Sequence, residues 1–214
     1  MALAPAMPLP LGMRLPGSIR SVRATRRERT CALPGDSLIT HPIQSLTYAI
    51  TIACPPHEVW PWLAQMGSGR RAGWYSYDRI DNAGRHSADC ILCRLQDVAV
   101  GATFPPLPGI DNGLTVVQFE REASLVLAWR PHRNSAPTIT WTFVLEPRRW
   151  SQTRLIVRAR ATYAAPSQAV PFWMAWPFVH FGHFLMQRKQ LLGIADRAEH
   201  VASPGSRPVQ RDAA

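Results

Sequence analysis

The chain has 214 residues, 46% of them hydrophobic and eight of them tryptophan, with a formal net charge of +10. This length suits one domain with tails rather than two domains, and the apolar content excludes a chain that is mostly disordered. Half of the excess positive charge lies outside the central residues, in 1–40 and in the tail from Val201, and no recognised nucleic-acid module accompanies it, so the sequence does not predict nucleic-acid binding.

The two ends of the chain differ in composition from its centre. Residues 1–40 are rich in proline, arginine and small residues and have no sustained period, which predicts a flexible leader. Residues 201–214 are predicted to be a disordered tail, and residues 41–200 to be the folded domain. The apolar start makes a poor secretory signal, because no positive charge precedes its apolar run. The four cysteines do not form the framework of a secreted disulfide scaffold, so the expected location is the cytoplasm.

A strand and two short helices are predicted next. Leu46, Tyr48, Ile50 and Ile52 alternate with small or polar residues, which is the two-residue period of a half-buried strand. Two prolines, Pro55 and Pro56, end this strand and favour the start of a helix. Pro61 should keep that helix short or break it in two. Glycines between 67 and 73 indicate a loop, and a second short helix is expected toward position 82.

The second half of the chain predicts two hairpins and a long helix. Residues 114–120 should pair with 124–129, and residues 138–146 with 153–163. Arg154, Arg158 and Arg160 alternate with apolar residues, which is typical of a solvated sheet face. Apolar residues at helical spacing from Phe184 onward predict an amphipathic helix that covers the sheet's other face. The expected class is α+β, with an antiparallel sheet and a helical layer.

Three segments carry a resemblance to a known family: Ala49-Ile50-Thr51-Ile52 with Pro55-Pro56, Val59-Trp60-Pro61-Trp62-Leu63-Ala64-Gln65-Met66-Gly67, and Gly73-Trp74-Tyr75-Ser76-Tyr77-Asp78. Together with Trp141-Thr142-Phe143-Val144-Leu145-Glu146-Pro147 and Met186-Gln187-Arg188-Lys189-Gln190-Leu191-Leu192-Gly193-Ile194, they resemble the bacterial, uncharacterised branch of the SRPBCC superfamily. This is the START-like group of polyketide cyclases, dehydrases and lipid-transport proteins. The resemblance implies a helix-grip fold, in which a curved antiparallel sheet wraps a long C-terminal helix and two short helices follow the first strand. Gln187 departs from the family, where glutamate is more usual.

The family includes carriers, sensors and enzymes, so the resemblance does not decide the activity. The expected function is binding of a hydrophobic small molecule or lipid in an internal cavity, as a carrier or sensor. One alternative is a cyclase or dehydratase that acts on an aromatic or polyketide-like substrate, although no catalytic motif supports an enzyme. Another is a peripheral membrane-associated interaction protein. The oligomeric state stays open.

The segment 74–78 is the best candidate site, because aromatic side chains with polar tips suit an apolar pocket that orients its ligand. Asp78 is expected to be the polar anchor, or else to cap the next helix. The predicted ligand-binding residues are Trp74, Tyr75, Tyr77, Asp78, Trp129, Trp141, Phe143, His180 and Phe184. Candidates for proton transfer, if the protein is an enzyme, are Asp78, Tyr77 and His180, with Tyr75 as a further possibility.

Metal and membrane interpretations are weaker. His86, Cys90 and Cys93 include a zinc-like spacing but lack a fourth ligand and a second paired motif, so neither a metal nor a cofactor is predicted. Residues 169–186 carry no formal charge, but prolines and histidines argue against a membrane span. Peripheral attachment through Trp173 and Trp176, with Phe172 and Phe178, is an alternative to a lid over the cavity.

Overall fold

The structure, a computed structural model, describes residues 20–110, 113–132, 135–162, 172–201 and 209–210, with the backbone alone at 172–180 and 209–210. The helices in these residues are α1 (Arg26–Thr30), α2 (Pro56–Ala64), α3 (Asp78–Asp81) and α4 (Phe172–Val201). The strands are β1 (Gln44–Ile52), β2 (Ile91–Leu92), β3 (Thr103–Phe104), β4 (Leu114–Glu120), β5 (Ser124–Trp129), β6 (Ile139–Arg148), β7 (Gln152–Ala161) and β8 (Val209–Gln210).

Six strands form one antiparallel sheet in the order β1-β7-β6-β5-β4-β3, and β2 and β8 pair in parallel as a separate ribbon. The two predicted hairpins are β4 with β5 and β6 with β7. In this sheet β1 lies beside β7, with Gln44 opposite Ala161 and Ile52 opposite Thr153. The predicted α+β class, with a curved antiparallel sheet and a long C-terminal helix, is confirmed.

The helix α2 begins at the position that its two prolines predict. Pro55 is the N-cap residue and Pro56 the first helical residue, where a missing N–H leaves no hydrogen bond unmade. Pro61 lies inside the helix, which nevertheless continues without a break and ends after nine residues. The prediction of a short helix is therefore correct, and the alternative of two helices is not.

The inner face of the sheet packs against α2 and α4 to form the main core. Phe143, Leu155 and Val157 contribute from the sheet, and Leu191 and Ile194 contribute from α4. All five are fully or almost fully buried. Because side chains alternate along a strand, these sheet residues leave their neighbours on the opposite, outer face.

The outer face is covered by residues 20–40, which differ here from the predicted flexible leader. Ala24 and Leu33 are buried with Ala49 of β1 and Ile156 of β7 in a second apolar cluster. The segment lacks a repeating period because it contains a five-residue helix between irregular stretches, so periodicity could not reveal that it is ordered. Residues 1–19, 202–208 and 211–214 of the predicted leader and tail lie outside the described residues.

Arginines of β7 hold this segment in place, so the prediction that they form a solvated face is wrong. Arg154 Nε lies 2.8 Å from Oε1 of Glu28, and Arg158 Nη1 lies 2.6 Å from Oδ2 of Asp36. The side chain of Arg158 is only 4% exposed. The hydrogen bond that Glu28 accepts from Arg154 lowers the pKa of Glu28 to about 2, against the opposing effect of burial.

Candidate functional site

A cavity of about 580 Å³ lies between the inner face of the sheet and α4. Its volume falls within the range of roughly 300–1,000 Å³ that is usual for small-molecule sites. The wall is formed by Trp74, Ser76, Asp81, Pro106, Leu114, Trp129, Thr138, Ile139, Trp141, Ala159, His183, Met186, Gln187 and Gln190. The cavity therefore combines strands, the region around α3 and the C-terminal helix.

Three tryptophans supply most of the aromatic surface of this wall. Trp74 and Trp141 are stacked, with ring centroids 5.2 Å apart and planes inclined by 22°. Trp141 also packs against Phe143, at 5.2 Å between centroids, and Trp74 Nε1 donates a hydrogen bond of 3.1 Å to the carbonyl of Pro105. Trp129, the third, ends β5. Trp74 and Trp141 are thus already held in position by the protein.

The register of the sheet explains why Trp129 and Trp141 approach one another. Trp129 is paired with Ile139 at the end of the β5–β6 ladder, and Trp141 follows two residues later on the same face of β6. The neighbouring strand β7 places Ala159 directly opposite Trp141. A small side chain at that point leaves room for the cavity.

The floor of the cavity on α4 contains two glutamines that are connected to each other. Trp141 Nε1 donates to Oε1 of Gln187 at 3.1 Å, and Gln187 Nε2 donates to Oε1 of Gln190 at 2.7 Å. Gln190 Nε2 then donates to the sulfur of Met66 at 3.8 Å. Both glutamines are only 2% exposed. These hydrogen bonds connect α4 to the sheet and the two amides to each other. The amides add no formal charge to the cavity.

The carboxyl group of Asp81 is the charged exception on this wall. The residue is 4% exposed, and neither of its carboxylate oxygens has a hydrogen-bond partner among the described residues. Burial, with the nearby Asp78 carboxylate as a smaller cause, raises the pKa of Asp81 to about 6. Asp81 can therefore exist in either protonation state near neutral pH.

A tight loop delivers α3 to the cavity. Gly67 and Gly73 exchange two backbone hydrogen bonds, of 3.1 and 2.7 Å. Gly73 has a φ of +87°, and a Cβ there would collide with Ser87. The Ser87 backbone N–H and hydroxyl in turn donate to the carboxylate of Asp78, at 3.1 and 2.5 Å. Asp78 thus secures the loop around α3, while Asp81, one turn later, lies on the cavity wall.

Three of the predicted ligand-binding residues line the cavity, namely Trp74, Trp129 and Trp141. Phe143 is fully buried and lies behind Trp141 rather than on the wall. Phe184 is 37% exposed and packs near Tyr48.

Tyr75, Tyr77 and Asp78, which were predicted for the site, lie outside the cavity lining. Tyr75 is buried and donates its hydroxyl to the carbonyl of Trp62 at 3.2 Å, and Tyr77 is 41% exposed. Asp78 binds Ser87 and is not part of the lining, nor does its side chain cap α3. The side chain of His180 lies outside the described residues, as do those of Phe172, Trp173, Trp176 and Phe178.

The sequence-based prediction of the site did not include the residues that α4 contributes to the wall, nor Asp81. His183, Met186, Gln187 and Gln190 follow the i, i+3, i+4, i+7 spacing of one helical face, so that spacing could have identified them as a group. His183 stacks on Tyr48 at 5.8 Å between centroids. For Asp81 no comparable signal exists, because its burial depends on distant parts of the chain.

Two negative findings apply to the described part of the chain. In residues 20–110, 113–132, 135–162 and 181–201 no three histidine, cysteine, aspartate or glutamate side chains are grouped so that they could hold a metal ion. A membrane-crossing helix is likewise absent from the residues that the structure describes, because none has the required apolar length.

Comparison with known proteins identifies no family for this chain. No family model and no curated protein matches the chain. A solved protein from Mesorhizobium loti is 19% identical and aligns over 72% of this chain and 98% of its own, with a TM-score of 0.40.

Two other structures have the same TM-score of 0.40. A protein of the dynemicin biosynthetic locus is 16% identical over 70% of this chain and 46% of its own. An HSP90 activator from Plasmodium falciparum is 12% identical over 69% of this chain and 94% of its own.

Proposed function

We propose that the cavity binds a hydrophobic small molecule and that the protein acts as its carrier or sensor. The observation that supports this is a cavity of about 580 Å³ with three tryptophans on its wall. Tryptophan offers a large apolar surface with few rotatable bonds, so it binds flat apolar molecules at a small cost in side-chain entropy.

The rigidity of the wall favours binding over simple packing. Trp141 is held by Gln187 and stacks on Trp74, which is held in turn by Pro105. Side chains that are fixed before the ligand arrives need little further ordering, and this increases affinity. The buried apolar surface then supplies the driving force, at about 25 cal/mol per Å² removed from water.

Binding can be tested with pyrenylmethanol, a neutral flat fluorophore that accepts energy from excited tryptophan. We expect saturable energy transfer to the probe, with a single binding site per chain. The variant Trp129→Ala should weaken binding about tenfold or more, because it removes apolar and aromatic contact from the wall. Trp150→Ala is the matched control, since Trp150 is 87% exposed and lies outside the lining.

The outcome that contradicts the proposal is equally specific. Binding that is absent, that does not saturate, or that is weakened equally by both tryptophan variants would show that the cavity is not the site. Near-ultraviolet circular dichroism of both variants establishes that each is folded.

Asp81 supports a second candidate function, that of a cyclase or dehydratase for an aromatic or polyketide-like substrate. A carboxyl group with a pKa of about 6 on an apolar wall can give or take a proton near neutral pH. Substitution by asparagine distinguishes the two functions. An enzyme variant Asp81→Asn should still bind substrate but lose turnover, whereas in a carrier affinity alone should change.

A further inference from the structure

The carboxyl group of Asp81 is unusual because it is buried without a partner. Most buried polar groups in folded proteins are hydrogen-bonded. A buried ionised carboxylate without a hydrogen bond has a large desolvation cost. Asp81 is 4% exposed and lines the cavity, yet neither oxygen accepts a hydrogen bond from another described residue. A protein that keeps such a group in its binding cavity has an acceptor ready for a donor on the ligand.

Basic side chains in the surrounding loops are engaged with other groups. Arg71 donates to the carbonyls of Met66 and Ala64 and lies over the ring of Phe104. Arg197 donates to Asp89 at 2.8 Å, and Arg85 donates to the carbonyl of Gly69 at 2.7 Å. These three cations are engaged with other groups, and Arg79, on the same short helix as Asp81, is exposed and donates no hydrogen bond to the Asp81 carboxylate.

The rest of the wall also favours a positive charge over a negative one. The faces of Trp74, Trp129 and Trp141 attract cations through the ring quadrupole. The carboxylate of Asp78, on the same helix, adds a second negative charge close to Asp81 and is one cause of its raised pKa. An anionic ligand such as a fatty acid would meet the Asp81 carboxylate on the wall, with the negative charge of Asp78 nearby.

The hydroxyl of Thr138 on the wall also has no hydrogen bond among the described residues, but it does not discriminate between ligands. A hydroxyl can donate or accept, so it suits a ligand of any charge. The choice of charge therefore depends on Asp81 rather than on Thr138.

We propose that the preferred ligand is a lipophilic amine, whose protonated nitrogen pairs with the Asp81 carboxylate while its apolar rings lie against the tryptophans. This rests on the proposed function and narrows it to one chemical class. A charge-assisted hydrogen bond away from water is stronger than a neutral one, so the amine should be recognised well above an alcohol of the same shape.

Three probes with one ring system test the inference: pyrenylmethylamine, pyrenylmethanol and pyrenecarboxylic acid. At about pH 8 the first is a cation, the second is neutral and the third is an anion. We expect the amine to bind the wild-type protein about tenfold or more tighter than the alcohol. The acid should bind more weakly than the alcohol.

The variant Asp81→Asn should reduce the preference for amine over alcohol to less than about threefold, because the amide has no negative charge to pair with the protonated amine. Asp97→Asn is the matched control, because Asp97 is exposed and outside the cavity lining. It should keep the full preference. The wild-type series is informative without either variant, so a folding defect in Asp81→Asn does not prevent the test.

Failure of this inference can be distinguished from failure of the proposed function. Equal affinities for amine and alcohol in the wild type, or a preference that Asp81→Asn leaves unchanged, would overturn the amine class while the cavity remains a binding site. If none of the three probes binds, the binding function itself fails, and the ligand class falls with it.

Discussion

The indole N–H of Trp141 on β6 donates a hydrogen bond to the side-chain oxygen of Gln187 on α4, and the two atoms lie 3.1 Å apart. The bond joins the sheet to the helix at the cavity wall. Gln187 continues the connection to Gln190 through its amide nitrogen. The orientation of a large aromatic group in the site therefore depends on a neutral amide in the opposite layer of the fold.

Replacing that amide should destabilise the protein. Gln187→Leu leaves the Trp141 N–H and the Gln190 oxygen without their partners, and we expect the free energy of unfolding to fall by about 1–3 kcal/mol. Denaturant unfolding measures this change. Gln118→Leu, at an exposed position on β4, is the control and should change stability by less than about 0.5 kcal/mol. Similar losses in both variants would show that the Gln187 bond contributes little.

Asp81 should lower stability when it is ionised. Its pKa is raised from 3.8 to about 6 in the folded state, so folding takes up a proton between these values, and stability falls as pH rises through this window. Asp81→Asn removes the buried charge and should therefore stabilise the protein by about 1–3 kcal/mol above pH 6. The gain should disappear toward pH 4. Thermal unfolding across this range tests the sign, and a variant less stable than wild type at pH 8 would contradict it.

Glu28 should show the opposite pH dependence. Its pKa is lowered from 4.5 to about 2, so its contribution is present above the unfolded value and is lost as pH falls from about 4.5 toward 2. We expect Glu28→Gln to cost about 1–3 kcal/mol at neutral pH and almost nothing near pH 2. Glu122→Gln, at an exposed site, should be neutral throughout. A cost for Glu28→Gln that does not vary with pH would rule out the ion pair as its cause.

Asp36→Asn should loosen the segment that covers the outer face. Arg158 would keep hydrogen bonds to the carbonyls of Glu28 and Cys31 but would lose its neutralising anion. Because removing one partner of a buried ion pair leaves the other charge uncompensated, we expect the free energy of unfolding to fall by about 3 kcal/mol. Hydrogen exchange should accelerate in residues 20–40 more than in β6. Unchanged exchange in this segment would indicate that apolar contacts alone hold it.

The cysteines should differ in reactivity because the thiolate is the reactive form. Burial raises the pKa of the Cys54 thiol to about 12, whereas Cys93 is exposed. At about pH 8 iodoacetamide should modify Cys93 within minutes and leave Cys54 intact until the protein unfolds. Mass spectrometry of peptides from native and denatured samples distinguishes the two. Rapid native labelling of Cys54 would show that its surroundings open readily.

Local patterns were enough to predict most of the secondary structure. Alternation along β1 and β6, the proline pair before α2 and the amphipathic end of α4 each have a physical cause within a few residues. A local signal also existed for α1, where Thr25 and Glu28 form a capping box in the structure. The surrounding residues have no period, so periodicity alone does not reveal this helix.

By itself the sequence determined the α+β class and the order of the longer strands and helices, since alternation and helical spacing are local properties. Only the tertiary structure decided that residues 20–40 cover the outer face and that Arg158 is buried there with Asp36. It also decided that Asp81, rather than Asp78, lies on the cavity wall. Burial and pairing depend on contacts between residues that are far apart in the chain, and short-range patterns carry no information about those contacts.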